Sequence, residues 1–276
     1  MQEAYRTAAF LSDRLIARDR PEDLDHLQRT QVVVVEGQYD RGEGVLAVCG
    51  IPSTRVSAQA TAALGLDPDQ VLFVNCPGKL PREGLLRLRA FVEAGGLLVT
   101  TDWALRHVIE PAFPGTVRRG GRDSKDDVVR VVFEPVQDTF LEGLLDPQDD
   151  PLWWLEGSSY PIEVLDPAVR VLVSSAEMQA RYGHAPVVVA FEVGLGKVYH
   201  MTSHFYLQRS ETRTQRHQAG AAEYLTQKGL DPCESRRFCE GSAVQLAEAQ
   251  SAYTSARSLK NLIIEQGRRK QARSSR

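Results

Sequence analysis

The stretch from Val71 to Ile109 constrains this chain more than any other. Val71-Leu72-Phe73-Val74-Asn75 is a continuous apolar run ending at Cys76-Pro77-Gly78, which reads as a strand buried on both faces. Pro81 then opens a helix through Ala94 with Leu85, Leu88, Phe91 and Val92 on one face, and Gly95-Gly96 stops it. Leu97-Leu98-Val99-Thr100-Thr101 is the next strand. It delivers Asp102-Trp103 to a turn before Ala104 to Ile109 becomes helical. Strand, helix, strand, turn and helix in this order make a βαβ unit, which requires a parallel sheet covered on both faces.

The flanking segments fit the same sheet. Gln31 to Glu36 contains four consecutive valines before Gly37 and reads as another core strand, while Pro52 assigns Ile51 to Val56 to an edge. Gly42 to Cys49 and residues 57 to 65 read as short helical pieces, and residues 3 to 18 as an amphipathic leading helix with Tyr5, Ala8, Leu11, Leu15 and Ile16 at helical spacing. After Pro111 the spacing predicts shorter strands at Val128–Phe133, Pro161–Leu165, Val169–Ser174, Val187–Val193 and Lys197–Ser203, the last two joined as a hairpin by Gly194-Leu195-Gly196. Helices are expected over 210–228 and Val244–Ile264. The fold class is therefore α/β, in three layers: a mostly parallel sheet with helices on both faces, plus a C-terminal helical extension. The boundaries are 1–29 for an N-terminal helix packing on the core, 30–229 for the α/β domain and 230–276 for the extension.

Charge and cysteine exclude several classes. Acidic and basic residues number 36 and 33 for a formal charge of −3, and 42% of the residues are hydrophobic, as in an ordinary globular chain. Gln266 to Arg276 holds Arg268, Arg269, Lys270, Arg273 and Arg276 without an acid, so a tail of +5 follows a body of −8. It reads as a solvated, frayed terminus, and otherwise as a contact for an acidic partner. Without interleaved aromatics it argues against nucleic acid. Cys49, Cys76, Cys233 and Cys239 form no CxxC pair, so reduced thiols are expected, with a Cys233–Cys239 bridge the lesser alternative. No apolar run is long enough to span a membrane and the N-terminus lacks a secretory core, so a cytoplasmic location is expected. No Walker loop, GxGxxG, HExxH or GxSxG occurs, and neither a cofactor nor a metal is indicated.

The stretches VVVVEGQYD, VLFVNCPGKLPREGLLRLRAFVEAGGLLVTTDWAL and GLGKVYHMTSHF, read in that order, resemble the class I glutamine-amidotransferase-like superfamily, in particular its trehalose-utilisation-type members and non-catalytic relatives. The resemblance spans most of residues 30 to 228 and implies a flavodoxin-like sheet. In active members of that family, the strand after the Gly-Gly helix ends in a sharp elbow that presents a cysteine, and a later histidine, oriented by an acid, serves as base. Here the elbow reads Thr100-Thr101-Asp102-Trp103-Ala104. His204 falls at the family's histidine position, but Phe205-Tyr206 follows where the acid belongs. Glutaminase activity is not expected, and the resemblance implies fold more than chemistry.

The candidate site residues follow from strand ends, where open α/β sheets bind ligands. Cys76, Asp102 and His204 are the catalytic candidates; Asn75, Gly78, Asp102, Trp103 and His204 are the ligand-binding ones. Each has a plainer reading: Cys76 as a structural cysteine, Asp102 as a helix cap, His200 and His204 as separate residues roughly 13 Å apart along a strand. Trp153-Trp154 is expected to pack one ring and expose the other, and Asp123, Asp126 and Asp127 to lie in a solvated loop. The first functional expectation is a non-catalytic binding or scaffold subunit with a protein partner, or self-association, through residues 232–276. The alternatives are a small-molecule hydrolase using Cys76 or Asp102 with His204, and a sugar- or nucleotide-binding module.

Overall fold

Four consecutive valines form the strand β1 (Val32–Val35), and their side chains divide between two hydrophobic cores. Val32 and Val34 face one, Val33 and Val35 the other. The computed structural model describes residues 1–275. The other strands are β2 (Thr54–Val56), β3 (Val71–Val74), β4 (Leu97–Thr101), β5 (Val117–Arg119), β6 (Asp127–Arg130), β7 (Val132–Phe133), β8 (Leu152–Leu155), β9 (Ile162–Val164), β10 (Arg170–Ser174), β11 (Pro186–Val193) and β12 (Gly196–Met201). The helices are α1 (Gln2–Asp19), α2 (Asp23–Arg29), α3 (Gly42–Val48), α4 (Arg82–Glu93), α5 (Glu110–Ala112), α6 (Ala176–Tyr182), α7 (Ala221–Gln227), α8 (Pro232–Phe238) and α9 (Leu246–Ser274).

The main sheet has eight strands in the order β2-β1-β3-β4-β12-β11-β10-β7. From β2 to β12 neighbouring strands are parallel, and the remaining pairs are antiparallel. Helix α4 covers one face through Leu88, Phe91 and Val92. Helices α1 and α9 cover the other through Tyr5, Leu11, Leu259 and Ile263. Two antiparallel ribbons, β5–β9 and β6–β8, complete the molecule.

The expected βαβ block is present, with Pro81 as the N-cap of α4. Two glycine pairs far apart in sequence interlock behind it. The Leu195 N–H donates to the Glu93 carbonyl and the Lys197 N–H to the Gly96 carbonyl, so the β11–β12 hairpin tip sits on the α4–β4 turn. A Cβ on Gly196 would lie 2.0 Å from the Val92 carbonyl oxygen, so only glycine fits there.

Several expectations are corrected. The 210–228 helix begins only at Ala221, because residues 210–215 are spent on side-chain pairs such as Arg213 with Glu177. Trp153 and Trp154 are both buried, on the unanticipated strand β8: Trp153 Nε1 donates to Thr254 of α9 and Trp154 Nε1 to Asp126. Asp123 and Asp126 are exposed as expected and pair with Arg119 and Arg209, whereas Asp127 begins β6 and pairs with Arg181. Cys233 and Cys239 are free thiols.

The basic tail is the largest difference. Instead of fraying, it continues α9 through Ser274, and its charges meet the acidic body: Arg268 with Asp23 and Glu142, Arg269 with Glu192, Lys270 and Arg273 with Asp69. Arg276 lies outside the described residues. The apolar stripe expected for docking is consumed in the core, since α9 is buried from Leu246 almost continuously to Gly267. Among the described residues, no helix is long and apolar enough to cross a membrane.

Candidate functional site

Strand order reverses between β1 and β3, and the loops leaving β1, β3, β4 and β12 emerge on the same carboxyl edge of the sheet. That crevice is where open parallel sheets place ligands. Cys76 leaves β3. Its N–H donates to Thr101 Oγ1 (3.1 Å), and Thr101 donates in turn to the buried Asp40 (2.8 Å). The Cys76 carbonyl accepts from the N–H groups of Gln38 and Tyr39. This loop crosses so close to Gly37 that a Cβ there would lie 2.3 Å from the Cys76 oxygen.

Asp102 leaves β4 with φ of 46°, a left-handed conformation unusual for a residue with a side chain. The backbone makes the sharp bend expected at the elbow, with a carboxylate in place of a thiol. The carboxylate does not cap the following helix. It turns back to accept from the Tyr160 N–H (2.8 Å) and Ser159 Oγ (3.1 Å).

His204, just past β12, completes the constellation. Its Nε2 lies 3.6 Å from Asp102 Oδ2, and Cys76 Sγ lies 3.7 Å from the same oxygen. One ligand-type atom from each of Cys76, Asp102 and His204 falls within 4.8 Å of the other two. The other imidazole nitrogen, Nδ1, is 3.3 Å from Glu156 Oε2 at the end of β8. The edge of Trp154 contacts the ring. The carboxylate beside Nδ1 therefore comes from a different strand, and its Oε2 makes no hydrogen bond. No local signal in the sequence marks Glu156, because it sits in a loop-rich stretch in which β8 has no clear alternating pattern.

The sequence candidates separate cleanly. Cys76, Asp102 and Trp103 line a cavity of about 150 Å³ with Tyr39, Glu156, Gly157 and Ser158, and His204 stands behind them. Asn75 and Gly78 are outside that lining: Asn75 donates to Glu43, and Gly78, at φ of 67°, packs against Ala104. Trp103 walls the cavity, with its Nε1 donating to the Ser158 carbonyl and its ring stacked on Tyr160. Phe205 turns into the core against Phe73. His200 is fully buried beside Thr100 and takes no part in the site. The sequence indicated no metal here, but it gave no view of three ligand-type atoms converging from three strand ends.

The cluster's electrostatics follow from burial beside carboxylates. Burial pushes the Cys76 thiol and the Asp102 and Glu156 carboxyls upward. Burial works against the charged form of His204 as well, but Asp40 and Asp102 outweigh it and hold the imidazole well above its ordinary value. The Trp103 backbone N–H faces the Cys76 sulfur and favours the thiolate.

No protein-family model matches this chain, and no curated protein matches it. Among solved structures, similarity extends to SMU.1228c, with 13% identity, a TM-score of 0.47 and coverage of 86% of this chain and 99% of that one. It extends also to the cytoplasmic protein STM3548 from Salmonella typhimurium, at 13% identity, TM-score 0.46 and coverage of 65% and 89%. The β-galactosidase from Rahnella sp. R3 aligns at 14% identity, TM-score 0.44 and coverage of 64% and 29%, so this chain spans under a third of that enzyme. Identities and TM-scores at this level leave the function of this chain to its own side chains.

Proposed function

We propose that this protein is a small-molecule hydrolase on a class I amidotransferase-like, flavodoxin-like scaffold, with Cys76 as nucleophile and His204 as its base. The observation that carries the reading is the convergence of Cys76, Asp102 and His204 to within 4.8 Å of one another, beside a cavity at the carboxyl edge of the sheet that Cys76 and Asp102 line. Support for the scaffold comes from the strand order and from the elbow φ at Asp102 with a histidine after the neighbouring strand. A non-glycine residue held at positive φ costs of order 1–3 kcal/mol, and such strain concentrates at functional positions.

The roles follow from the contacts. Cys76 loses its proton to His204 and the thiolate attacks an acyl carbon. His204 returns the proton to the leaving group, and water then hydrolyses the thioester with His204 as base. Asp102 and Glu156 flank the two imidazole nitrogens and stabilise the imidazolium, and the Trp103 N–H favours charge on the sulfur. Asp102 is the weaker nucleophile, because both its oxygens already accept hydrogen bonds from Ser159 and Tyr160. The cavity admits a compact acyl group and excludes a bulky one.

The test is turnover of small esters, thioesters and amides, with mass spectrometry of the acylated protein. The expected result is an acyl adduct on Cys76, with turnover reduced at least ~100-fold in both Cys76→Ser and His204→Gln. An adduct elsewhere, or unchanged turnover in both variants, overturns the reading. The position of a carboxylate rather than a thiol at the elbow favours a second reading, a non-catalytic binding subunit. Absence of any turnover, together with a stable complex formed by the full-length protein, would support it.

A further inference from the structure

We infer that Cys76 Sγ, Asp102 Oδ2 and His204 Nε2 form a three-ligand site for a divalent zinc-like ion, with a fourth coordination position opening on the cavity. The inference concerns the site of the proposed hydrolase, but its geometry stands without the acyl chemistry.

The separations argue first. Zinc bonds of about 2.3 Å to sulfur and about 2.0–2.2 Å to nitrogen or carboxylate oxygen, set at tetrahedral angles, hold ligand atoms roughly 3.4–3.6 Å apart. The structure places Sγ 3.7 Å and Nε2 3.6 Å from Asp102 Oδ2. The imidazole–carboxylate spacing suits a shared ion better than a direct hydrogen bond, whose normal length is about 2.7–2.9 Å when charged, and the Cys76 thiol, which donates to the same Asp102 oxygen, would release that proton on binding the ion. Nε2 has no hydrogen-bond partner although His204 is only 2% exposed. A buried nitrogen left unpaired in this way costs stability unless something completes it.

The surroundings argue second. Metal-ligating histidines are oriented by a carboxylate or carbonyl on the opposite ring nitrogen, and Glu156 Oε2, itself without a hydrogen-bond partner, lies 3.3 Å from His204 Nδ1, within reach of that role. The Asp102 carboxylate is fixed by Ser159 and Tyr160. The three ligands come from the ends of β3, β4 and β12, adjacent strands of one rigid sheet. Cys76 and Asp102 also line the cavity, so a water or a substrate atom has a route to the ion. Three protein ligands and one open position is the pattern of catalytic rather than structural zinc.

When the ion is bound, the Cys76 thiolate and the His204 lone pair are committed to it. The thiol route then stops, and zinc becomes an off-switch for the proposed hydrolase.

The experiment strips the full-length protein with a chelator and titrates it with zinc by calorimetry and native mass spectrometry. Cobalt(II) is used in parallel to read the thiolate-to-metal charge-transfer band. The expected result is one ion per chain and a charge-transfer band, with affinity at least ~100-fold weaker in Cys76→Ser and in His204→Gln and ~10-fold weaker in Glu156→Gln. A Cys233→Ser/Cys239→Ser double variant controls for the other accessible thiols and is expected to bind as the parent does. Circular dichroism on each variant confirms folding. No uptake by the folded parent at micromolar zinc, or equal uptake by Cys76→Ser and His204→Gln, overturns the site. A protein that hydrolyses acyl substrates but takes no zinc also overturns it, while keeping the hydrolase reading. Zinc uptake that depends on Cys76, by a protein whose metal-free form shows no thiol-dependent turnover, supports the site and removes the hydrolase reading.

Discussion

At the scale of single residues, two histidines four positions apart behave in opposite ways. His200 is sealed beside Thr100, and burial pulls its pKa to about 3 from the ordinary 6.5. Between those values the unfolded chain binds a proton that the folded one refuses, so stability falls as pH drops through 6.5 toward 3, by about 1.4 kcal/mol per pH unit. His200→Gln is expected to flatten the acid side of a melting-temperature profile; curves that stay parallel to the parent would refute this. His204 shows the reverse sign. Its raised value means that it contributes stability below pH 6.5, which is lost as pH climbs through the folded pKa. Asp102→Asn removes one carboxylate holding that proton, so an NMR titration is expected to show the His204 pKa falling toward its ordinary value. The raised Cys76 and His204 values also shift both limbs of the expected hydrolase pH profile to the alkaline side. Cys76, Asp102 and His204 were legible in the sequence because each ends a strand whose apolar pattern is clear. Glu156 was not, because no local signal says that a loop-rich stretch will fold back over the sheet edge.

At the scale of elements, the interlock of the two glycine pairs joins two turns some hundred residues apart, each shaped to receive the other. Gly196→Ala would drive a methyl group into the Val92 and Gly96 carbonyls, and a loss of about 3 kcal/mol in denaturant unfolding is expected. A loss within experimental error would show that the turn yields easily. Helix α9 makes the complementary case. Its periodicity announced an amphipathic helix, but periodicity alone does not say what an apolar face meets, and here it meets α1 and the sheet. Ile263→Ala is expected to cost ~2–5 kcal/mol, as a core truncation does. Had the stripe served an outside partner, the same change would leave the stability of the isolated protein untouched. The late ribbons were the least legible elements, since β5 and β8 are short and draw their burial from distant segments rather than from local alternation.

For the molecule as a whole, the leading helix, the sheet and the final helix share one core, so calorimetry is expected to record a single cooperative transition. A separate early transition assignable to residues 230–275 would contradict that. The parallel half of the sheet was readable because a βαβ rhythm has few topological solutions. The antiparallel half and the charge pairing of the tail depend on where loops travel, which composition does not encode. Helix α9, described above as the cover of one sheet face, also fixes the order of events at birth. All twelve strands precede it along the chain, so during synthesis they emerge before their cover, and Tyr5 and the valine-rich face wait exposed, a target for chaperones and proteases, until α9 arrives.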